Sequence, residues 1–250
     1  MAANCQTIQQ RFEYKYLITE AQAEVVRGYA AANLAPDPHT DAARGHSYPV
    51  YTLYLDTADL ALYHSSRDGE KNRFKLRIRS YDGGPETPAF LEVKARCGDT
   101  IQKRRAPVRQ EAVARVLGGF CPSAADLATG SPEALGAACR FCELGAALMA
   151  RPTALVRYVR EAYVEPDGGP MRLTIDRAIA CRHAQRRAVE QDGPGWVALR
   201  NRWVVLEIKF TDTFPLWASE MVRALALPRT SSAKYVESLS ALMRATTAMA

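Results

Sequence analysis

The chain has no run of about 18 apolar residues, so no bilayer-spanning helix is expected. Its first ten residues carry neither a basic start nor an apolar centre and do not read as a secretory leader, which makes the cytoplasm the expected compartment. Cysteine is sparse and scattered, at positions 5, 97, 121, 139, 142 and 181, and in a reducing compartment these residues stay thiols. Cys139-Arg-Phe-Cys142 has redox or zinc spacing, but it falls in a helical stretch and no second Cys or His pair is suitably placed, so it carries no assignment. The four histidines (His39, His46, His64 and His183) lie in loop-like or helix-end stretches and form neither a triad nor a metal pattern. Aromatic residues hardly interleave with the basic ones and no nucleic-acid motif is present, so nucleic acid is not the expected partner. There is no internal repeat.

What remains is a 250-residue chain, 48% hydrophobic and 24% charged, enough to bury a core as one globular domain over residues 1–250. A net charge of +6 and a pI near 9.0 point to a polyanionic partner. Helices are expected at 19–33, opened by a Thr19…Gln22 capping box, and from Ser131-Pro132 to about Met149. Further helices are expected at 111–117, 215–227 and from about 233 to the C-terminus. Asp56-Thr57 reads as the cap of a following helix. Arg182, Arg186 and Arg187 form a basic stretch whose ordinary reading is a solvated loop.

Strands give the stronger signal, at 11–18, 49–55, 73–81, 89–96, 101–109, 154–164, 171–177 and 203–210. Gly, Pro and Asp clusters at 82–88 and 165–170 supply hairpin connections, which favours an antiparallel sheet. Side chains alternate across a strand. Hence Arg11, Glu13 and Lys15 face away from Phe12, Tyr14 and Tyr16, and Arg73, Lys75, Arg77 and Arg79 face away from Phe74, Leu76 and Ile78. The same division separates Glu92, Lys94 and Arg96 from Leu91 and Val93, and Glu207 and Lys209 from Leu206 and Ile208, while Arg172 and Asp176 share a face. Any one such strand is ordinarily half-solvated sheet. Five of them are harder to dismiss, because like charges about 6 Å apart repel by roughly 3 kcal/mol at an effective dielectric of 20. An α+β fold follows, in which about eight antiparallel strands close into a barrel, helices cover its outside, and the charged face lines a tunnel for phosphate oxygens. Carboxylates in that lining, Glu13 and Glu207 among them, are candidate ligands for Mg2+ or Mn2+.

The chain resembles the VTC domain, the polyphosphate polymerase branch of the triphosphate tunnel metalloenzyme (CYTH-like) superfamily. The resemblance rests on Arg11-Phe-Glu13-Tyr-Lys15-Tyr16, Leu53-Tyr-Leu-Asp56-Thr57, Arg73-Phe-Lys-Leu-Arg77-Ile-Arg79, Leu91-Glu92-Val-Lys94 and Gln102-Lys103-Arg104-Arg105. It continues through Tyr158-Val-Arg160-Glu161, Arg172-Leu-Thr-Ile-Asp176, Leu206-Glu207-Ile-Lys209 and Lys234-Tyr235, in that order, and so covers most of the chain. It implies a metal-dependent enzyme that moves the γ-phosphoryl group of ATP onto a growing polyphosphate chain. By motif, Lys15, Arg77, Arg79, Lys94, Arg160, Arg172 and Lys209 would act on the transferring phosphates. Lys103, Arg105, Tyr158 and Lys234 would bind substrate, and Glu207 with Glu13 would hold the metal. Two positions depart from the pattern. Arg11 stands where related triphosphatases begin a Glu-x-Glu-x-Lys strand, which favours the polymerase branch, and Ala233 replaces the serine of a Ser-Lys-Tyr motif. Rival expectations are a tripolyphosphatase or nucleoside triphosphatase, and a non-catalytic polyanion-binding module.

Overall fold

A computed structural model describes residues 11–81, 86–98, 100–184, 193–199 and 203–249, with only the backbone of residues 248 and 249. Arg186, Arg187 and part of the 82–88 turn lie outside the described residues. Chain order is β1 (Arg11–Ile18), α1 (Glu20–Asn33), β2 (Ala35–Pro36), β3 (Ser47–Asp56), α2 (Ala61–Arg67), β4 (Asn72–Ser80), β5 (Ala89–Cys97) and β6 (Thr100–Val108). It continues with α3 (Gln110–Leu117), α4 (Pro132–Ala147), β7 (Arg151–Val164), β8 (Arg172–His183), β9 (Val197–Ala198), β10 (Val204–Thr211), α5 (Leu216–Ala224) and α6 (Lys234–Met249). The residues cluster into two compact units.

The first unit comprises Met1–Tyr48, Val159–Ala178 and Arg200–Ser232. Here β1 pairs antiparallel with β10, and β10 with β8. The alternating apolar positions Tyr16, Ile18, Leu206, Ile208, Leu173 and Ile175 are buried, and α1 and α5 bring Ala23, Val26, Ala30, Ala218 and Met221 into the same core. Each large side chain removed from water in this way contributes about 1.5–3 kcal/mol. Helix α1 starts where the sequence says it should. The Gln22 backbone N–H donates to Thr19 Oγ1 at 3.1 Å, and the Thr19 N–H donates to Gln22 Oε1 at 2.9 Å, which satisfies two backbone donors at once.

The second unit comprises Pro49–Tyr158, Ile179–Leu199 and Ala233–Ala250. Strands β3, β4, β5 and β6 pair antiparallel in that order. Their apolar face, with Leu53, Leu76, Ile78, Leu91 and Val93, packs on Val113 and Val116 of α3 and on Ala134, Ala138 and Phe141 of α4. Ser131 opens α4 by accepting from the Ala134 N–H at 3.1 Å, with Pro132 in the first turn, where its missing donor costs nothing.

The expected closed barrel is not what forms. The strands follow one hydrogen-bonded path, β1-β10-β8-β7-β3-β4-β5-β6, with β2 and β9 as side pairs on β7 and β8. That path has two ends, and the sheet is open. Each end has a local cause. The outer edge of β1 is taken by its own unit, where the Thr230 N–H donates to Lys15 O at 2.9 Å and Tyr16 bridges Arg229. The outer edge of β6 includes Pro107, which has no N–H to give a further strand, and the Ala128 N–H donates to Pro107 O at 3.0 Å. Side-chain alternation and helix cover on the apolar face agree with the sequence reading; closure does not.

Candidate functional site

The charged residues singled out in the sequence fall into two groups, one in each unit. In the second unit the register sets Arg77 opposite Glu92 and Glu92 opposite Arg105, while Lys75, Lys94 and Lys103 line up as the next rung. Glu92 is wholly buried at the centre. Its Oε2 accepts from Arg77 Nε at 2.6 Å, and its Oε1 lies 2.9 Å from Lys103 Nζ and 3.3 Å from Arg105 Nε. Burial alone would raise the Glu92 carboxyl, but the charges of Arg77, Arg79 and Lys103 outweigh it and hold the group far below the usual carboxylate range. Desolvation lowers Lys103 below the usual lysine range; Glu92 opposes that shift, and Arg105 and Arg77 add to it. Arg105 also stacks over the Phe90 ring at 3.5 Å and donates to the Tyr81 hydroxyl at 3.0 Å, so its guanidinium is fixed in direction. Arg79 is buried, with Nε 3.4 Å from Thr52 Oγ1.

Lys234 and Tyr158 meet in the same unit, the ammonium lying 5.0 Å from the ring centroid. Lys234 opens α6, and the next residue anchors that helix. Tyr235 is buried, stacks on Tyr54 with centroids 4.5 Å apart, and donates its hydroxyl to Asp56. Tyr54 is the register partner of Arg77. Asp56 also accepts from the Leu62 and Tyr63 N–H groups, both at 2.9 Å, in place of a side-chain cap at Leu60, whose backbone is left-handed. The expected capping role of Asp56 is therefore present, and its bond to Tyr235 is an addition that the sequence did not signal.

In the first unit cations and carboxylates lie in direct contact. Lys15 Nζ lies 3.0 Å from Glu13 Oε1 and 3.6 Å from Glu207 Oε2, and it donates to the Ser232 carbonyl at 3.0 Å. Lys209 pairs with Glu207. Arg160 makes a two-pronged contact with Asp176 at 2.6 and 2.7 Å, both side chains buried. Arg172 reaches Asp37 at 2.5 Å and the Tyr48 hydroxyl at 3.4 Å. Thr174, opposite Glu207 in register, is buried, and its hydroxyl has no hydrogen-bond partner among the described residues. Arg11, at the departing position, is exposed beside Thr211. Sequence reading missed Asp37, because it lies in a turn outside any alternating run.

For a divalent cation, Glu13 and Glu207 offer oxygen donors on adjacent strands that already share one lysine. No group of three His, Cys, Asp or Glu suited to a metal occurs among the described residues. Such a pair fits Mg2+ or Mn2+, which need only one or two carboxylates when substrate phosphates supply further oxygens. No helix among the described residues is long and apolar enough to cross a membrane.

A family model described as the VTC domain matches residues 10–243, nearly the whole chain. No curated protein matches it. Among solved structures, a protein of Pyrococcus horikoshii OT3 is similar at 14% identity and a TM-score of 0.46, over 96% of this chain and 99% of that one. A candidate adenylate cyclase from Vibrio parahaemolyticus is similar at 13% identity and a TM-score of 0.41, over 90% and 95%.

Proposed function

Because the chain belongs to the VTC domain family, we propose that it is a polyphosphate polymerase that moves the γ-phosphoryl group of ATP onto a growing polyphosphate chain with the help of Mn2+ or Mg2+. The observation that carries this reading is the rung of Arg77, Glu92 and Arg105 with Lys103 beside it, set in a face dense with lysine and arginine. Phosphoryl transfer needs little covalent chemistry from the protein; it needs positioning and neutralisation of charge on non-bridging oxygens. Arg77 and Arg105 present guanidinium forks whose directions are set by Glu92 and Phe90, and a fork matches two phosphate oxygens at once. Lys94 and Lys103 act as mobile point charges along the chain of phosphates, and Arg79, Lys234 and Tyr158 extend the contact surface. In the first unit Lys15, Lys209, Arg160 and Arg172 hold carboxylates in place and contribute positive charge, and Glu13 and Glu207 are the metal ligands. A metal bound there would neutralise and align phosphoryl oxygens.

Arg11 supports polymerisation over hydrolysis, since it removes one carboxylate from the strand that carries Glu13. The deciding experiment incubates the purified chain with ATP, Mn2+ and a short polyphosphate primer and resolves the products on a gel. A ladder of lengthening polyphosphate with matching ADP is expected. Release of orthophosphate alone would replace this reading with a tripolyphosphatase or nucleoside triphosphatase.

A further inference from the structure

Three thiols, not two, gather where the segment after α3 meets α4. Cys139 and Cys142 stand three residues apart on α4 and so share a helix face. Cys121, 18 positions before Cys139, joins them across space, its Sγ 3.4 Å from the Cys139 Sγ. The Cys142 Sγ lies 3.9 Å from the carbonyl oxygen of Phe120, the residue preceding Cys121. All three are free thiols; Cys121 is exposed and the other two are half-buried. A small cleft of about 120 Å³, walled by Ala112, Val116, Phe120 and Pro122 with Arg115 and Asp126, opens beside Cys121 and admits a small oxidant. The three sulfurs do not form a metal-holding group.

We propose that Cys121 and Cys139 are a reversible disulfide-forming site, oxidised by hydrogen peroxide. One sulfur gives up its proton and, as thiolate, attacks one oxygen of hydrogen peroxide; the O–O bond breaks, the departing hydroxide takes up that proton and leaves as water, and a sulfenic acid remains. The second sulfur then attacks the sulfenic sulfur, the S–S bond forms, the S–O bond breaks, and a second water carries away the oxygen with the remaining thiol proton. Two thiols and one hydrogen peroxide thus give one disulfide and two waters. An added dithiol reverses the change by exchange.

The bond would tie the segment after α3 to α4 and close a loop that contains Leu127, which bridges Val108 on β6. Ala134, Ala138 and Phe141, on the α4 end of the tie, belong to the core under β4 and β5. Stapling the two restricts the unfolded chain and leaves the charged face untouched. Burial and the adjoining thiols push Cys121 above the usual thiol range, so alkaline conditions favour its thiolate.

The test treats the full-length chain with hydrogen peroxide at about pH 8.5, where more thiolate is present. Titratable thiols should fall from the six in the sequence to four, and peptide mapping should recover residues 121 and 139 joined. The oxidised form should melt roughly 5 °C or more above the reduced form, and a dithiol should abolish the difference. Cys142→Ser should leave the cross-link in place, while Cys121→Ser and Cys139→Ser should each remove both the cross-link and the Tm gain. Six remaining thiols, a cross-link that maps to Cys142 or Cys97, or an equal Tm gain in Cys121→Ser would each overturn the proposal.

Discussion

In the second unit, eight lysine and arginine side chains on the charged face of β4, β5 and β6 surround a single carboxylate, Glu92. In the first unit, nearly every cation of the corresponding face already has an acid in contact: Lys15 with Glu13, Lys209 with Glu207, Arg160 with Asp176 and Arg172 with Asp37. On β4, β5 and β6 the cations outnumber the carboxylates that those strands themselves carry, whereas in the first unit cations and carboxylates lie in contact. A polyanion bound to the second unit would meet strands that carry more cations than acids, whereas in the first unit it must compete with existing carboxylates. On the proposed reading, the first unit presents acids to a cation and the second grips phosphate.

Glu92→Gln gives the largest expected effect, because it leaves Arg77, Lys103 and Arg105 crowded without their buried counter-charge. Breaking a buried pair costs about 3–5 kcal/mol, so Tm should fall by roughly 10 °C, whereas Glu13→Gln, on the partly exposed lysine pair, should lower it little. Equal losses in a thermal melt would dissolve the contrast between the units. The pH dependence has a defined sign. The Glu92 carboxyl is lower in the folded state, so its stabilising contribution is complete above the ordinary carboxylate value of about 4.3 and is lost as pH falls below it. The acid limb of a stability–pH curve should therefore be flatter in Glu92→Gln than in the parent chain.

Next in size, Glu207→Gln should lower metal-dependent turnover about 100-fold while tripolyphosphate affinity stays within about twofold. Unchanged turnover would remove the metal-ligand role and favour a binding module. Lys94→Ala should weaken tripolyphosphate binding about tenfold by calorimetry, more at low salt than at high, and Lys209→Ala should weaken it less. A reversed order would assign the phosphate grip to the first unit. Tyr235→Phe should cost about 1 kcal/mol and a few degrees of Tm by removing one hydrogen bond to Asp56 while keeping the stack on Tyr54.

Much of this was legible in the sequence, and the reason is periodicity. A strand alternates whatever its neighbours are, so the separation of Arg77 and Arg79 from Leu76 and Ile78 could be read without knowing the partner strand. The cap at Thr19 and the turn at Ser131-Pro132 are equally local. Closure is not local. Whether the last strand meets the first depends on what occupies their edges, and the segment at Arg229 and Thr230 sits on β1 through a contact more than 200 residues away in the chain. One warning was present: Pro107 within the 101–109 run marked an edge strand. The pairing of Arg172 with Asp37 and of Tyr235 with Asp56 had no such signal, because each joins residues from unrelated stretches of sequence.

An open sheet has a social consequence. Each uncovered rim is a row of peptide groups that a second copy of the chain can extend, and long flat rims seed aggregates. At one rim Thr230 spends its amide on Lys15, and at the other Pro107 withholds a donor while Leu127 and Ala128 lie across the end of β6. These few residues therefore guard the two rims: trimming the 228–232 segment, or replacing Pro107 with a strand-forming residue, is expected to leave backbone groups there open to pairing with another chain.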